Sequence, residues 1–248
     1  MTIKPQTHSL NSIEVTEIKS LGFLFQGISA FQDEFINTHF ANCDLLLFLN
    51  QIDDILSPVC NSSINKYIYL NNSPLPELLI QYFTNNYEDE NNGLALSRIF
   101  FWQDGELVVK HDYFRLPASS RNKGIAKKIF QASLQQYINM GVRKILVHAA
   151  LNDGGYVWAR NYFSAINQDE TRQILDDAKS KLTPVHFWAV ERIYNNYYEK
   201  NPSGIAFPIV KWAELPFMKD ILRGSNWHGV IDLQDREQFT NFILYVFK

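Results

Sequence analysis

The stretch 94–149 constrains the fold more than any other part of the sequence, because turn-forming residues separate runs whose hydrophobic period changes from one to the next. Residues 94–102 and 106–116 are rich in aliphatic and aromatic side chains, with Gln103, Asp104 and Gly105 between them. An Asp-Gly pair between two such runs predicts an antiparallel hairpin. Pro117 ends the second strand, since it has no N–H to give to a ladder, and the polar loop 118–123 leads to Gly124. Ala126, Ile129, Phe130, Ser133, Leu134, Tyr137 and Ile138 then follow the spacing of one helix face, and Gly141 suits a left-handed helix stop. Residues 143–150 carry Ile145-Leu146-Val147, a continuous apolar triplet of the kind found in strands covered on both faces. Strand, loop, helix and strand in that order imply a right-handed crossover between parallel strands.

The flanks are less sharply patterned. Residues 13–18 alternate like a strand, 23–39 look helical, and 66–70 form a short strand. The Asn-rich, acidic stretch 85–93 is the clearest loop or boundary, dividing an N-terminal segment, 1–92, from a core with its C-terminal extension, 93–248. No Pro- or Gly-rich linker makes the two independent, so they are expected to form one structural unit. Beyond the core, Ile174, Leu175, Ala178 and Leu182 mark a helical stripe, and Thr183 before Pro184 reads as an N-cap with a first-turn proline. The helix that follows presents Phe187, Val190, Tyr194 and Tyr197. Residues 227–233 read as a strand, and 236–247 fit a helix or a strand.

Composition narrows the class. The 248 residues are 46% hydrophobic and 20% charged, which excludes a disordered or disulfide-stapled chain. The net charge of −3 supplies no global basic field, so a nucleic-acid partner is not indicated. Cys43 and Cys60 are expected to be buried thiols, and no apolar run reaches the length of a membrane span. A soluble cytoplasmic protein is the expectation, with no membrane partner and an open oligomeric state. Aromatic residues make up 14% of the chain, enough for a thick core or an aromatic-lined cleft.

The chemistry points to Arg121-Asn122-Lys123-Gly124-Ile125-Ala126, an R-x-x-G-x-A pattern between a strand and the first turn of a helix. A helix start has N–H groups without intrahelical partners and the positive end of the macrodipole, and small residues let a phosphate approach. Arg121, Lys123 and Lys127 add positive charge. No H-E-x-x-H, G-x-S-x-G or P-loop pattern is present, and the six histidines show no close ligand spacing, so no metal is expected. Trp227-His228-Gly229 is a minor candidate for lining a cleft.

Phe114-Arg115-Leu116-Pro117, the 121–126 loop, its helix and the 145–149 strand together resemble the acyl-CoA-binding core of the GNAT superfamily of N-acyltransferases over about residues 95–163. The resemblance implies an α/β fold with a mixed, twisted sheet, helices on both faces and extensions at both termini. It implies that Arg121, Asn122, Lys123, Gly124, Ile125, Ala126 and Lys127 hold the CoA pyrophosphate, and that the strand through Phe114, Arg115 and Leu116 pairs with the pantetheine. Asn152 stands at the family's asparagine position, and Trp158 stands where the family carries a tyrosine. Indole is a donor only and delivers no proton in that role. Tyr162 replaces the family's glycine before Phe163.

The implied reaction transfers an acyl group, acetyl first among the choices, from acetyl-CoA or another acyl-CoA to a primary amine of a small molecule, peptide or protein. His111 and Asp112 are the titratable groups at the right depth for a base, and strand alternation lets only one of them face the cleft. His111 is favoured because its ordinary pKa suits proton removal near neutrality; a hydrogen-bonded strand histidine is the alternative. For the acid, Tyr156 is favoured over Tyr162, with packing roles or a proton from water as alternatives. The competing function is a catalytically inactive GNAT-like interaction module that retains the fold and CoA binding.

Overall fold

The computed structural model describes residues 6–60 and 62–248, the side chains of Leu151 and Asn152 excepted. The chain is α/β, with a mixed pattern of strand pairing, and divides into two compact units. One unit runs through Arg143 and takes in Val246–Lys248; the other is Lys144–Tyr245. No described helix is long and apolar enough to cross a membrane.

The first unit contains α1 (Ser12–Ser20), β1 (Phe23–Gly27), α2 (Gln32–His39), α3 (Leu45–Leu56), β2 (Asn65–Asn71), β3 (Glu77–Phe83), β4 (Ala95–Gln103), β5 (Glu106–Arg115) and α4 (Ile125–Asn139). Its strands lie in the order β1-β2-β3-β4-β5. β1 pairs parallel with β2 and the other neighbours pair antiparallel. The hairpin 94–116 forms as expected, with Asp104 and Gly105 both in the left-handed region at φ 52° and 78°. The expected boundary near residue 92 falls inside this unit, because the loop 85–93 joins two strands that pair from Glu77 opposite Phe101 through Phe83 opposite Ala95.

Two N-terminal expectations are corrected. Residues 13–18 belong to helix α1, because Asn11 and Glu14 form a reciprocal capping box that satisfies its first N–H groups and outweighs a short apolar alternation. The expected helix 23–39 splits into β1 and α2, since Phe23 to Gly27 pairs with Lys66 to Leu70 and turns a helix-like apolar run into an edge strand. Tertiary pairing overrides local pattern in both segments.

α3 supplies the thickest part of this core: Leu45, Phe48, Leu49, Ile52 and Leu56 are all buried, each worth about 1.5–3 kcal/mol. Phe48 meets Phe100 edge-on at 6.4 Å, and Phe100 meets Tyr137 of α4 at 5.7 Å, so α3 and α4 share one face of the sheet. α2 is tied to the same face by Trp102 Nε1, which donates to the His39 carbonyl at 2.9 Å. The opposite face is half-exposed at Leu79, Gln81 and Phe83 and carries a row of rings, Tyr67, Phe83, Tyr87 and Tyr113. In this unit the described helices therefore cover one face rather than the expected two. Cys43 is buried as expected, with its thiol pushed up to about 12 by desolvation, while Cys60 is half-buried; both are free.

The second unit contains β6 (Lys144–Ala149), α5 (Leu151–Arg160), β7 (Ser164–Ala165), α6 (Gln168–Lys181), α7 (Pro184–Lys200), α8 (Val210–Ala213), α9 (Lys219–Arg223), β8 (Trp227–Asp232) and most of α10 (Arg236–Phe247). β8 pairs antiparallel with β6 and with the short β7. The expected cap holds: Thr183 Oγ1 accepts the His186 N–H and Pro184 opens α7. The segment 236–247, open between helix and strand in the sequence, is helical. Tyr194 and the half-buried Tyr198 of α7 form a ring cluster with Phe207 and Trp212, in which Tyr194, Phe207 and Trp212 are buried.

Candidate functional site

The start of α4 is shaped by glycine chemistry. Gly124 is the N-cap residue at φ 75°, no side chain caps the helix, and a Cβ built on Gly124 meets nothing within 4 Å. Asn122 is also left-handed, at φ 60°, a conformation asparagine tolerates better than most residues. These two left-handed residues turn the chain into the first turn of α4, where N–H groups without intrahelical partners and the positive end of the helix dipole face outward. Asn122, Lys123, Gly124 and Lys128 are exposed, and Ile125, Ala126 and Lys127 are half-buried. The result is an open backbone cradle with cations at its rim.

Arg121 takes a different part from the one expected. Its Nε donates to the Leu116 carbonyl at 3.0 Å and its Nη2 to the Glu90 carbonyl at 2.6 Å. Arg115 Nη1 likewise donates to the Glu88 carbonyl, and the Ala118 N–H donates to the Asn91 carbonyl at 2.8 Å. The loop 85–93 thus clamps both ends of the turn that precedes the cradle. It is held in shape by Asp89, whose carboxylate accepts the N–H groups of Asn91 and Asn92 at 2.8 and 3.2 Å, which holds its pKa below the ordinary carboxylate value. Nothing in the sequence of this stretch, beyond its turn-forming composition, announces that role.

Upstream of the cradle, β5 carries a bulge. Tyr113 lies opposite Ser97 and His111 opposite Arg98, so Asp112 is the extra residue. The bulge reverses the side-chain alternation. Before it, His111 points to the helix-covered face; after it, Tyr113 meets Tyr87 on the half-exposed face, and Phe114 lies 5.8 Å from the Arg98 guanidinium. Leu116 is buried, and Phe114 and Arg115 are half-buried.

Under the bulge lies a buried polar cluster. Arg98 is 2% exposed; its Nη1 donates to the carbonyls of Ser97 and Tyr113, at 2.8 and 3.4 Å, from both sides of the bulge. It also bonds the Tyr137 hydroxyl, which lies 2.8 Å from His111 Nε2. His111 stacks on Phe130 at 5.4 Å and is itself 2% exposed. Burial, reinforced by the Arg98 charge, holds the His111 pKa well below its ordinary value, and burial raises that of Tyr137. The residue favoured as a base from the sequence is therefore a neutral core histidine, shut off from solvent. The outward-facing alternative is Asp112, exposed at the bulge and paired with Lys110 Nζ at 2.7 Å. Arg98 and Tyr137 were missed by sequence reasoning, although an arginine inside an otherwise apolar strand is a visible signal.

The remaining candidates belong to the second unit. Tyr156 is half-buried, with Lys219 Nζ 5.9 Å from its ring centroid. Trp158 is buried and meets Phe163 edge-on at 5.2 Å, a packing role. Asn152 lies in the first turn of α5 and its side chain is outside the described residues. Tyr162 occupies a left-handed position, φ 67°, where the helix closes with Phe163 N–H donating to the Trp158 carbonyl and Tyr162 N–H to the Ala159 carbonyl. That is the closure a glycine normally makes. No family model matches the chain, and no curated protein matches it.

Proposed function

We propose that the chain binds an acyl-CoA at the start of α4 and transfers its acyl group, acetyl first among the choices, to a primary amine of a small molecule, peptide or protein. The observation that carries this reading is the uncapped, sterically open helix start at Gly124, placed directly after a bulged strand and clamped by the 85–93 loop. The backbone of 122–126 fits a pyrophosphate, with Lys123 and Lys128 at the rim. The acyl-CoA supplies an activated thioester. The bulge leaves Asp112 out of the regular ladder and exposed, a polar group on the strand that leads to the cradle. Transfer forms the C–N bond and breaks the C–S bond; the amine proton passes to solvent or to an exposed carboxylate such as Asp112, and the thiolate leaves.

The test is thermal melting with CoA, acetyl-CoA and longer acyl-CoA. A ligand at about 100 times its Kd adds about 2.7 kcal/mol of stability, and no rise with any of them overturns the reading. Gly124→Glu places a carboxylate where the pyrophosphate sits and is expected to abolish CoA binding while the chain still folds; unchanged affinity sinks the assignment of the cradle. A second reading, a CoA-binding interaction module without turnover, is favoured by the burial of His111 and by Trp158 at the tyrosine position. Binding without CoA release across an amine panel selects it.

A further inference from the structure

Three side chains from separate stretches of the first unit converge away from the α4 cradle. His8 comes from the chain before α1, Glu14 from the first turn of α1, and Asp44 from the N-cap of α3. One ligand-type atom from each lies within 4.8 Å of the other two. Both carboxylates are already oriented by backbone: Glu14 Oε2 accepts the Asn11 N–H at 2.9 Å and Asp44 Oδ1 accepts the Leu47 N–H at 3.0 Å. Their second oxygens turn toward the imidazole, Glu14 Oε1 at 3.4 Å from Nε2 and Asp44 Oδ2 at 3.8 Å from Nδ1.

These separations are too long for charge-assisted hydrogen bonds, which run about 2.7–2.9 Å. His8 Nε2 is closed to solvent and makes no hydrogen bond among the described residues. The 3.4 Å between Glu14 Oε1 and Nε2 matches one ligand–ligand edge of a tetrahedral zinc site, about 3.3–3.5 Å for metal–ligand bonds of about 2.0–2.2 Å, and Asp44, whose Oδ2 lies nearest Nδ1, has to turn toward Nε2 for both carboxylates to share one ion. The charges agree. Two carboxylates against two helix starts, each worth about half a positive charge, leave roughly one net negative charge facing the ring.

We propose that His8, Glu14 and Asp44 form a structural site for a divalent transition-metal ion of the zinc type, ligated by one imidazole nitrogen and two carboxylate oxygens, with solvent completing the shell. One nitrogen with two oxygens suits Zn2+ or Co2+ better than Mg2+ or Ca2+, which favour all-oxygen shells. The backbone N–H groups that hold the carboxylates act as the outer support such ligands need. The ion ties the chain ahead of α1 to the starts of α1 and α3, so its binding adds to the stability of the fold. The inference does not depend on acyl transfer. No spacing motif reveals the site, because its ligands stand six and thirty residues apart.

The full-length chain, freed of metal with a chelator, is titrated with Zn2+ by calorimetry and thermal melting, and with Co2+ by visible absorption. One equivalent is expected to bind, to raise Tm where Mg2+ does not, and to give the intense spectrum of four-coordinate cobalt. The double variant Glu14→Gln, Asp44→Asn keeps both helix caps, since Gln and Asn accept the same N–H groups, and is expected to lose affinity by more than about tenfold. His8→Asn, a change outside any helix, should do the same and stands as the test if the double variant misfolds. His228→Asn, which removes an exposed histidine of the second unit, should bind as the parent does. No response in the parent chain, an undiminished response in the site variants, or loss of binding in His228→Asn each overturns the proposal.

Discussion

At the residue scale, His111 has a measurable signature. Its folded pKa is depressed below the ordinary value of 6.5 by burial and by Arg98, so below that pH the unfolded chain takes up a proton that the folded chain refuses. The stability held by the neutral form is complete above the unfolded pKa and drains away as pH falls toward the folded one, by up to about 1.4 kcal/mol per unit. His111→Gln removes that slope. Urea unfolding at pH 7 and pH 5 should show the parent losing more stability than the variant; equal losses would mean that the ring titrates normally. Sequence alone shows a titratable residue at this position of the strand, while the hairpin register, which sets His111 opposite Arg98, determines which way it points. Gly141 and Tyr162 make the same contrast, since both close a helix with a left-handed residue, φ 72° and 67°. Glycine does so freely, whereas tyrosine bears a cost of about 1–2 kcal/mol that its neighbours must offset.

At the element scale, α5 holds two adjacent glycines that look equivalent in sequence and are not. A Cβ on Gly155 would lie 2.1 Å from the Leu222 carbonyl and 2.3 Å from Ser225 Oγ, so α5 and α9 are in backbone contact there. A Cβ on Gly154 meets nothing closer than 3.6 Å. Gly155→Ala is expected to destabilise by about 1–3 kcal/mol, because overpacking outweighs the roughly 0.5–1 kcal/mol gained in helix propensity. Gly154→Ala keeps the gain without the clash and should stabilise. Chemical denaturation of both variants checks the pair, and a loss of the same size in each would refute the distinction. The elements that were legible beforehand, the 94–116 hairpin, α4 and α7, are those whose caps and turns lie inside their own sequence. α1 and β1 were misread because the capping reciprocity of Asn11 with Glu14, and the pairing of β1 with β2, outweigh a weak local period.

At the scale of the whole molecule, the first unit presents the cradle and the second carries the aromatic segment 156–163. If CoA binds as proposed, hydrogen exchange should slow most at 116–128 and in the clamping loop 85–93, because that loop fixes the turn before the cradle. Protection confined to the second unit would place the ligand elsewhere. The amino-acid sequence by itself determined the strand, loop and helix around Gly124, since a hairpin turn, a proline stop, a helical stripe and a glycine stop are local preferences. Only the tertiary structure decided that the 85–93 stretch is a clamp, that His111 faces Tyr137 and Arg98 rather than solvent, and that His8 meets Glu14 and Asp44. Each of these depends on residues tens of positions apart brought together by sheet pairing and helix packing, and no local period or spacing records such a meeting.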